Sequence, residues 1–226
     1  MPQIIKKQSG PIEYWIKGDR PTLLLMSGTH GDEYEVIEPL KDIVYKCSDT
    51  LPDYIFIPEV SPSAVALKTR KNAAGRDTNR SFTESTKDIE ARSTMDIVRP
   101  YVFDICFSFH EDPEQTEFYM YDNKQMDEGV LQSIRNRIKT YGVSLFTGID
   151  DPLDTTLGHM ITDGYASTPA DPKKLLHGDF WEWSQHNGIV KRILFPEIPG
   201  RLPMPNKIFL LQTIVNEMLI PMTRQL

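Results

Sequence analysis

Two side chains that can bind a metal ion stand three residues apart, directly after a short apolar run. The run is "LLLM" (residues 23–26), and the stretch "SGTHGDE" that follows it places His30 and Glu33 close together. An imidazole and a carboxylate at this spacing can both bind one zinc ion. A glycine-rich turn with both side chains in solvent explains the same residues, so the pair alone leaves two interpretations open.

A second predicted strand supplies the further ligand that a metal site needs. The apolar segment "DICFSF" (residues 104–109) leads directly to His110. Because side chains at the carboxyl ends of neighbouring parallel strands meet at one edge of a sheet, we expect His110 to lie near His30 and Glu33. Two imidazoles and one carboxylate form the ligand set of a catalytic zinc ion, which keeps its fourth position for water. The alternative for His110 is an ion pair with its acidic neighbours in the chain.

The size and charge of the chain narrow the class of protein. With 226 residues it is long enough for one α/β domain with a large core, and we assign residues 1–226 to a single catalytic domain. Hydrophobic residues make up 39% and charged residues 25%, which is typical of a globular protein. The net charge of −7 and the pI of about 5.3 argue against nucleic acid or an anionic membrane as the main partner.

The cysteine content and the N-terminus indicate a cytoplasmic protein. The two cysteines, Cys47 and Cys106, imply no disulfide framework, and Cys106 lies in an apolar run where a free buried thiol is expected. The segment "MPQIIKKQSGPIEYW" lacks the apolar centre and the cleavage site of a signal peptide. No apolar stretch reaches transmembrane length, so we expect no membrane partner.

Predicted strands and helices alternate along the chain. Residues 12–28 have the pattern of a hairpin with a Lys-Gly-Asp-Arg turn, and residues 33–47 have that of a helix with Pro39 in its first turn or at a kink. Residues 61–86 carry few large apolar side chains and indicate a long functional loop with little regular structure. Further patterns predict strands at 53–60, 101–109, 116–122 and 188–195, and helices at 86–100, 126–142 and 206–219. The alternation predicts an α/β fold with a mixed, mostly parallel central sheet and helices on both faces.

Four motifs in this order resemble those of the zinc carboxypeptidase superfamily, which includes the succinylglutamate desuccinylase and aspartoacylase branch. They are the His-x-x-Glu pair after a buried strand, the loop "RDTNRSF" (residues 76–82), a histidine that closes a later strand, and Glu197 at the close of the last core strand. The resemblance extends from residue 22 to about residue 220. It implies a zinc-carboxypeptidase-like fold, with His30, Glu33 and His110 as ligands of one zinc ion.

The same resemblance assigns roles to the polar loop. Asp77 would accept a hydrogen bond from the His30 ring and fix its orientation. Asn79 and Arg80 would bind the substrate carboxylate, because a guanidinium group matches it in bidentate geometry. Arg70 would help to polarise the scissile carbonyl group. The alternative is that the cations of this loop are merely a solvated basic run.

Beyond the loop, the resemblance makes Glu197 the general base and then the general acid. It would take a proton from the attacking water and pass it to the leaving nitrogen; the alternative is a surface glutamate in a proline-rich turn. Tyr165 is the candidate for the mobile, substrate-binding tyrosine of the carboxypeptidases. The segment "HGDFWEWSQHNGI" resembles the wall of their specificity pocket, so Trp181 and Trp183 belong either to that pocket or to the core.

These features predict a zinc metallohydrolase that cleaves amide bonds. A metallocarboxypeptidase or peptide amidase acting on small peptides with a free carboxylate is favoured, because only a turn and one helix follow Glu197, whereas aspartoacylase-like enzymes carry a further β-rich domain. An N-acyl amino acid deacylase is the alternative, since the compact loop that contains Arg70 resembles that branch. A binding module without catalytic activity is a third hypothesis, and the complete ligand set counts against it.

Overall fold

A computed structural model describes residues 3–151, 158–168 and 177–224 of the chain. The strands within these residues are β1 (Ile4–Ser9), β2 (Ile12–Lys17), β3 (Leu23–Met26), β4 (Tyr54–Ile57), β5 (Ile105–Ser108), β6 (His110–Asp112), β7 (Tyr119–Asp122), β8 (Gly148–Ile149), β9 (Met160–Ile161), β10 (Tyr165–Ser167) and β11 (Ile193–Pro199). The main sheet has the order β1-β2-β4-β3-β5-β11-β7-β10, and β6 also pairs with β11. β8 and β9 form a separate pair.

Helices connect most of these strands. Those of the described residues are α1 (Ile37–Cys47), α2 (Pro62–Leu67), α3 (Ile89–Val98), α4 (Glu128–Thr140), α5 (Phe180–His186), α6 (Met204–Thr213) and α7 (Ile220–Thr223). Short 3₁₀ segments occupy Gly31–Val36, Ser48–Thr50 and Thr78–Arg80, and a π-helical segment at Ile214–Leu219 joins α6 to α7.

The centre of the sheet is apolar on both faces. All four residues of β3 are buried. Leu23 and Leu25 belong to one apolar cluster with α1, α4 and α6, whereas Leu24 and Met26 belong to another with α3 and α5. Because successive side chains of a strand point to opposite faces, these clusters cover the two faces of the sheet. β4, β3, β5 and β11 run parallel, and β2 and β7 flank them in the antiparallel sense. The predicted mixed, mostly parallel sheet with helices on both faces is confirmed.

The predicted hairpin over residues 12–28 is wrong, although both of its strands form. β4 lies between β2 and β3: it pairs with β2 in the antiparallel sense and with β3 in the parallel sense. The observed hairpin joins β1 to β2 instead. The Lys-Gly-Asp-Arg turn is tied to the segment before β4, because the Asp53 carboxylate accepts hydrogen bonds from the N–H groups of Asp19 and Arg20, both at 3.1 Å.

Residues 61–86 contain more regular structure than predicted. α2 begins at Pro62, a position where proline is favoured because its missing N–H would have no partner in the helix. The short helix buries only Ala64 of its side chains, so the sequence carries no apolar pattern that reveals it. Further along, Asp77 caps the 3₁₀ turn at Thr78–Arg80 by accepting a hydrogen bond from the Asn79 N–H at 2.9 Å.

The remaining elements follow the predictions with shifted ends. Pro39 lies in the first turn of α1, and Cys106 is a free, buried thiol, as expected. β11 starts and ends later than the predicted strand at 188–195, so Glu197 lies inside it. The predicted strand at 101–109 is shorter, and His110 begins β6. Among the described residues, no helix is long and apolar enough to cross a membrane.

Candidate metal centre and active site

The turn after β3 holds His30 and Glu33 against each other. Gly31 packs so closely on α2 that a Cβ atom at this position would lie 1.8 Å from the carbonyl oxygen of Ala64. Its N–H donates a hydrogen bond to the Thr69 carbonyl at 3.0 Å. A larger residue would push the turn away from α2, so the glycine between the two side chains is a packing requirement.

His30, Glu33 and His110 converge in one buried cluster. Glu33 lies between the two histidines: one carboxylate oxygen contacts Nδ1 of His30, and the other lies 2.9 Å from Nδ1 of His110. One donor atom from each residue falls within 4.8 Å of the other two. The three residues are 3–5% exposed. The structure therefore brings together the three residues that the sequence singled out as metal ligands.

The outer nitrogen of each imidazole has its own partner. Nε2 of His30 lies 3.2 Å from the Asp77 carboxylate, as the resemblance implied, and Nε2 of His110 lies 3.1 Å from the Ser108 hydroxyl. An N–H at Nε2 that donates to these oxygens leaves Nδ1 of each ring as the lone-pair atom. Metal-binding histidines are commonly oriented in this way. Ser108 was not predicted for this role.

The electrostatics of the cluster favour a positive charge at its centre. Burial opposes the charge on His30, but Glu33 and Asp77 outweigh it and raise the pKa of His30 to about 9. Burial also opposes the charge on Glu33, but the two histidines outweigh it and lower the pKa of Glu33. Two imidazole nitrogens and a carboxylate that together stabilise a cation form a donor set that fits zinc. No other group of three or more such side chains within the described residues has this geometry.

Glu197 lies next to the cluster. It pairs with His110 across the parallel strands β11 and β6 and lines the same cleft. Burial raises the pKa of Glu197 well above the ordinary value, and the negative charges of Glu33, Asp150 and Asp112 add to the rise. A cation bound beside it would lower this pKa again, and a general base works best when its pKa lies near the working pH.

A cleft of about 280 Å³ opens over these residues. Arg70, Asn79 and Arg80 line it, so the loop cations are not simply a solvated run. Arg70 donates from Nε to the Asp77 carboxylate at 3.0 Å, and Arg80 donates from Nη1 to the Asn79 carbonyl at 2.9 Å. The loop therefore joins the metal cluster, through Asp77, to the cations of the cleft. The substrate contacts predicted for these residues stay predictions.

The structure does not place Tyr165 in the cleft, which corrects its expected role in substrate binding. Its hydroxyl accepts a hydrogen bond from the Met126 N–H at 2.9 Å and lies 3.0 Å from the buried Asp122 carboxylate. Tyr165 is 6% exposed, and these contacts hold it in the core. The two tryptophans were expected either in the specificity pocket or in the core. Trp181 lines the cleft, and Trp183 lies in the core.

An aromatic and acidic part of the cleft was missed. Tyr119 and Tyr121 are alternate residues of β7, so both side chains face the cleft. The Tyr119 hydroxyl donates to the Asp112 carboxylate at 2.8 Å, and the Tyr121 hydroxyl donates to Asp150 at 3.3 Å. Burial and the nearby Glu197 carboxylate raise the pKa of Tyr119, which therefore stays protonated. The only signal in the sequence was the spacing of the two tyrosines in a predicted strand.

Sequence comparison identifies a known domain in the chain. The model of the succinylglutamate desuccinylase/aspartoacylase catalytic domain family matches residues 19–147. The matched segment includes His30, Glu33 and His110 and ends before Glu197. No curated protein matches the chain.

Solved structures share the fold at low sequence identity. A candidate metallopeptidase from Shewanella amazonensis has 20% identity and a TM-score of 0.73, over 95% of this chain and 85% of its own. A metallo-carboxypeptidase from Burkholderia cenocepacia has 13% identity and a TM-score of 0.66, over 100% and 66%. A succinylglutamate desuccinylase/aspartoacylase from Rhodobacter sphaeroides has 20% identity and a TM-score of 0.55, over 91% and 57%. At these identities the similarity shows a common fold.

Proposed function

Because the chain belongs to the succinylglutamate desuccinylase/aspartoacylase catalytic domain family, we propose that it is a zinc-dependent hydrolase that cleaves an amide bond in a small substrate with a free carboxylate. The observation that carries this proposal is the convergence of His30, Glu33 and His110 beside Glu197. The complete ligand set with Glu197 beside it counts against a binding module without catalytic activity.

His30 and His110 would hold zinc through Nδ1, and Glu33 would hold it through its carboxylate. When bound, zinc would supply a Lewis acid that activates water and the scissile carbonyl group. Asp77 and Ser108 keep the two imidazole rings oriented through Nε2. The orientation of the rings is therefore set before the ion binds, and the ion would replace the proton that His30 carries.

Glu197 would transfer the proton that the reaction requires. Its carboxylate takes a proton from the attacking water, and the resulting carboxylic acid gives that proton to the leaving nitrogen. Two acidic neighbours are already engaged: Glu111 forms an ion pair with Lys207, and Asp112 accepts a hydrogen bond from Tyr119. Within the described residues, the Glu197 carboxylate has no such side-chain partner to displace.

The cations of the cleft would orient the substrate. Arg80 and Asn79 would receive its free carboxylate, since a guanidinium group can donate two parallel hydrogen bonds to it. Arg70 would stabilise the negative charge that develops on the scissile carbonyl oxygen. Asp77 holds Arg70 through Nε, which leaves the terminal nitrogens of the guanidinium group for this contact.

Short peptides are the substrates that we favour, which makes the protein a metallocarboxypeptidase or a peptide amidase. The cleft supports this proposal, because two cations of one loop, Arg70 and Arg80, lie beside a single metal cluster. An N-acyl amino acid deacylase is the second candidate, and the family match favours it. Both reactions use the same ligands and the same general base, so only the group on the acyl side of the bond separates them.

Hydrolysis assays of the zinc-loaded protein test the proposal. The substrates are dipeptides, γ-glutamyl peptides and N-acyl amino acids, each as the free acid and as the C-terminal amide, and Glu197→Gln is the control for contaminating activity. We expect turnover of free acids, with peptides cleaved faster than N-acyl amino acids. The reverse order would establish the deacylase. Equal rates for the wild type and Glu197→Gln on every substrate would refute a hydrolase that works in this way.

A further inference from the structure

We propose that Lys207 is a positioning residue for the metal site: it fixes the distance between the segment that carries Glu33 and the strand that carries His110. The inference rests on the proposed metal site. Lys207 belongs to α6, which contributes none of the three ligands and does not line the cleft. It would therefore act on the metal only through its neighbours.

The side chain of Lys207 is buried and bridges two acidic residues. It is 0% exposed, and its Nζ donates to the carboxylates of Glu35, at 2.5 Å, and of Glu111. The other oxygen of Glu111 accepts a hydrogen bond from the Glu35 N–H at 3.2 Å. Lys207, Glu35 and Glu111 thus form a closed triangle of polar contacts: Lys207 joins the two carboxylates, and the backbone N–H of Glu35 joins Glu111.

Each acidic residue of the triangle lies within two residues of a candidate metal ligand in the chain. Glu35 is two residues after Glu33 in the 3₁₀ segment, and Glu111 directly follows His110 in β6. The Glu111 N–H also points to the Glu33 carboxylate, at 3.5 Å. The contacts of Lys207 thus join the two segments that must approach each other for Glu33 and His110 to bind the same ion.

Loss of the ammonium group would leave Glu111 without its cation in a buried position. Glu111 is 3% exposed, and an unpaired carboxylate in such a place is strongly unfavourable. The carboxylate would turn toward solvent, and this movement weakens its bond to the Glu35 N–H. The two ligand-bearing segments would then be free to shift, and metal affinity is sensitive to small shifts of the ligands.

A second buried lysine separates this role from a general effect on stability. Lys17 of β2 is 4% exposed and donates to the backbone carbonyls of Ser48 and Leu51, the latter at 2.7 Å. It touches no residue of the metal cluster or the cleft. Lys17→Met therefore removes a comparable buried charge at a distance from the site.

The experiment compares the wild type, Lys207→Met and Lys17→Met. Zinc affinity is measured by competition with a chelator, the ligand geometry by the visible absorption spectrum of the cobalt-loaded protein, and the stability of the metal-free protein by thermal unfolding. We expect both variants to unfold at lower temperature. Only Lys207→Met should bind zinc at least tenfold more weakly and show an altered cobalt spectrum.

Several outcomes would overturn the proposal. Zinc affinity and a cobalt spectrum in Lys207→Met equal to those of Lys17→Met would show that Lys207 serves stability alone. If Lys207→Met does not fold, Glu35→Gln removes one arm of the bridge at a half-exposed carboxylate, and wild-type zinc affinity in that variant would refute the positioning role. A wild-type protein that binds no zinc would refute the proposed function itself, and this inference with it.

Discussion

Glu197 lies in register with His110 on the neighbouring parallel strand. The backbone pairing of β11 with β6 therefore sets the distance between the candidate general base and a candidate metal ligand. β11 is central in the sheet, with β5 and β6 on one side and β7 on the other. A rigid strand places a catalytic group more reproducibly than a loop does, which suits a residue that must accept and return a proton.

Glu197→Gln should abolish most of the activity and leave the metal in place. The amide keeps the shape of the side chain but cannot transfer the proton, so turnover should fall by a factor on the order of 10²–10⁴. The rate constant and the zinc content of the same preparation are measured together. Near wild-type turnover would assign the proton transfer to another group, and loss of zinc would make Glu197 a ligand.

Arg80→Lys should weaken substrate binding although the charge is kept. Lysine cannot reproduce the bidentate geometry of the guanidinium group. Because hydrogen bonds to charged groups are worth about 1.5–3 kcal/mol, we expect KM to rise about 10–100-fold with a smaller change in kcat. Arg76→Lys, at an exposed cation of the same loop, is the matched control. If C-terminal amides are cleaved as well as free acids, Arg80 does not bind a carboxylate.

Asp179→Asn should stabilise the protein above pH 6 and have little effect at pH 4. Asp179 lines the cleft and caps α5 by accepting a hydrogen bond from the Glu182 N–H at 2.8 Å. Burial raises its pKa from 3.8 to about 6. Since the native state then holds a proton that the unfolded state releases, the free energy of unfolding falls as the pH rises through this window. Asparagine keeps the cap and does not ionise.

The size of this effect follows from the shift in pKa. The difference in unfolding free energy between Asp179→Asn and the wild type should grow between pH 4 and pH 6 by on the order of 2–3 kcal/mol. Denaturant unfolding at several pH values measures it. Asp127→Asn, at the exposed cap of α4, is the control. A difference for Asp179→Asn that does not change with pH would contradict the expected titration.

The parts of the site that the sequence predicted are those whose residues follow strands. His30 and His110 come after apolar runs that could be recognised without a structure, and parallel strands bring their ends to one edge of a sheet. The hairpin prediction failed for a related reason. The local pattern of residues 12–28 is the same whether β2 and β3 pair with each other or with β4, and only the long-range pairing decides.

The parts that were missed depend on contacts between distant residues. Lys207 is buried in α6 beside Leu210 and Leu211, and nothing near it in the sequence reveals its acidic partners. The substrate-binding role of Tyr165 is predicted from the resemblance to the family alone. In the structure its hydroxyl forms hydrogen bonds with Asp122 and the Met126 N–H in the core. Tyr119 and Tyr121 could have been suggested by their alternation in a strand, but not their acidic neighbours.

The zinc content of purified protein tests the central claim most directly. Zinc per chain is measured by elemental analysis for the wild type, His30→Ala, His110→Ala and the control His159→Ala, which removes an exposed histidine outside the cleft. The account predicts one zinc ion in the wild type and the control, and close to none in His30→Ala and His110→Ala with the fold retained. Full zinc occupancy in either of these two variants would contradict it.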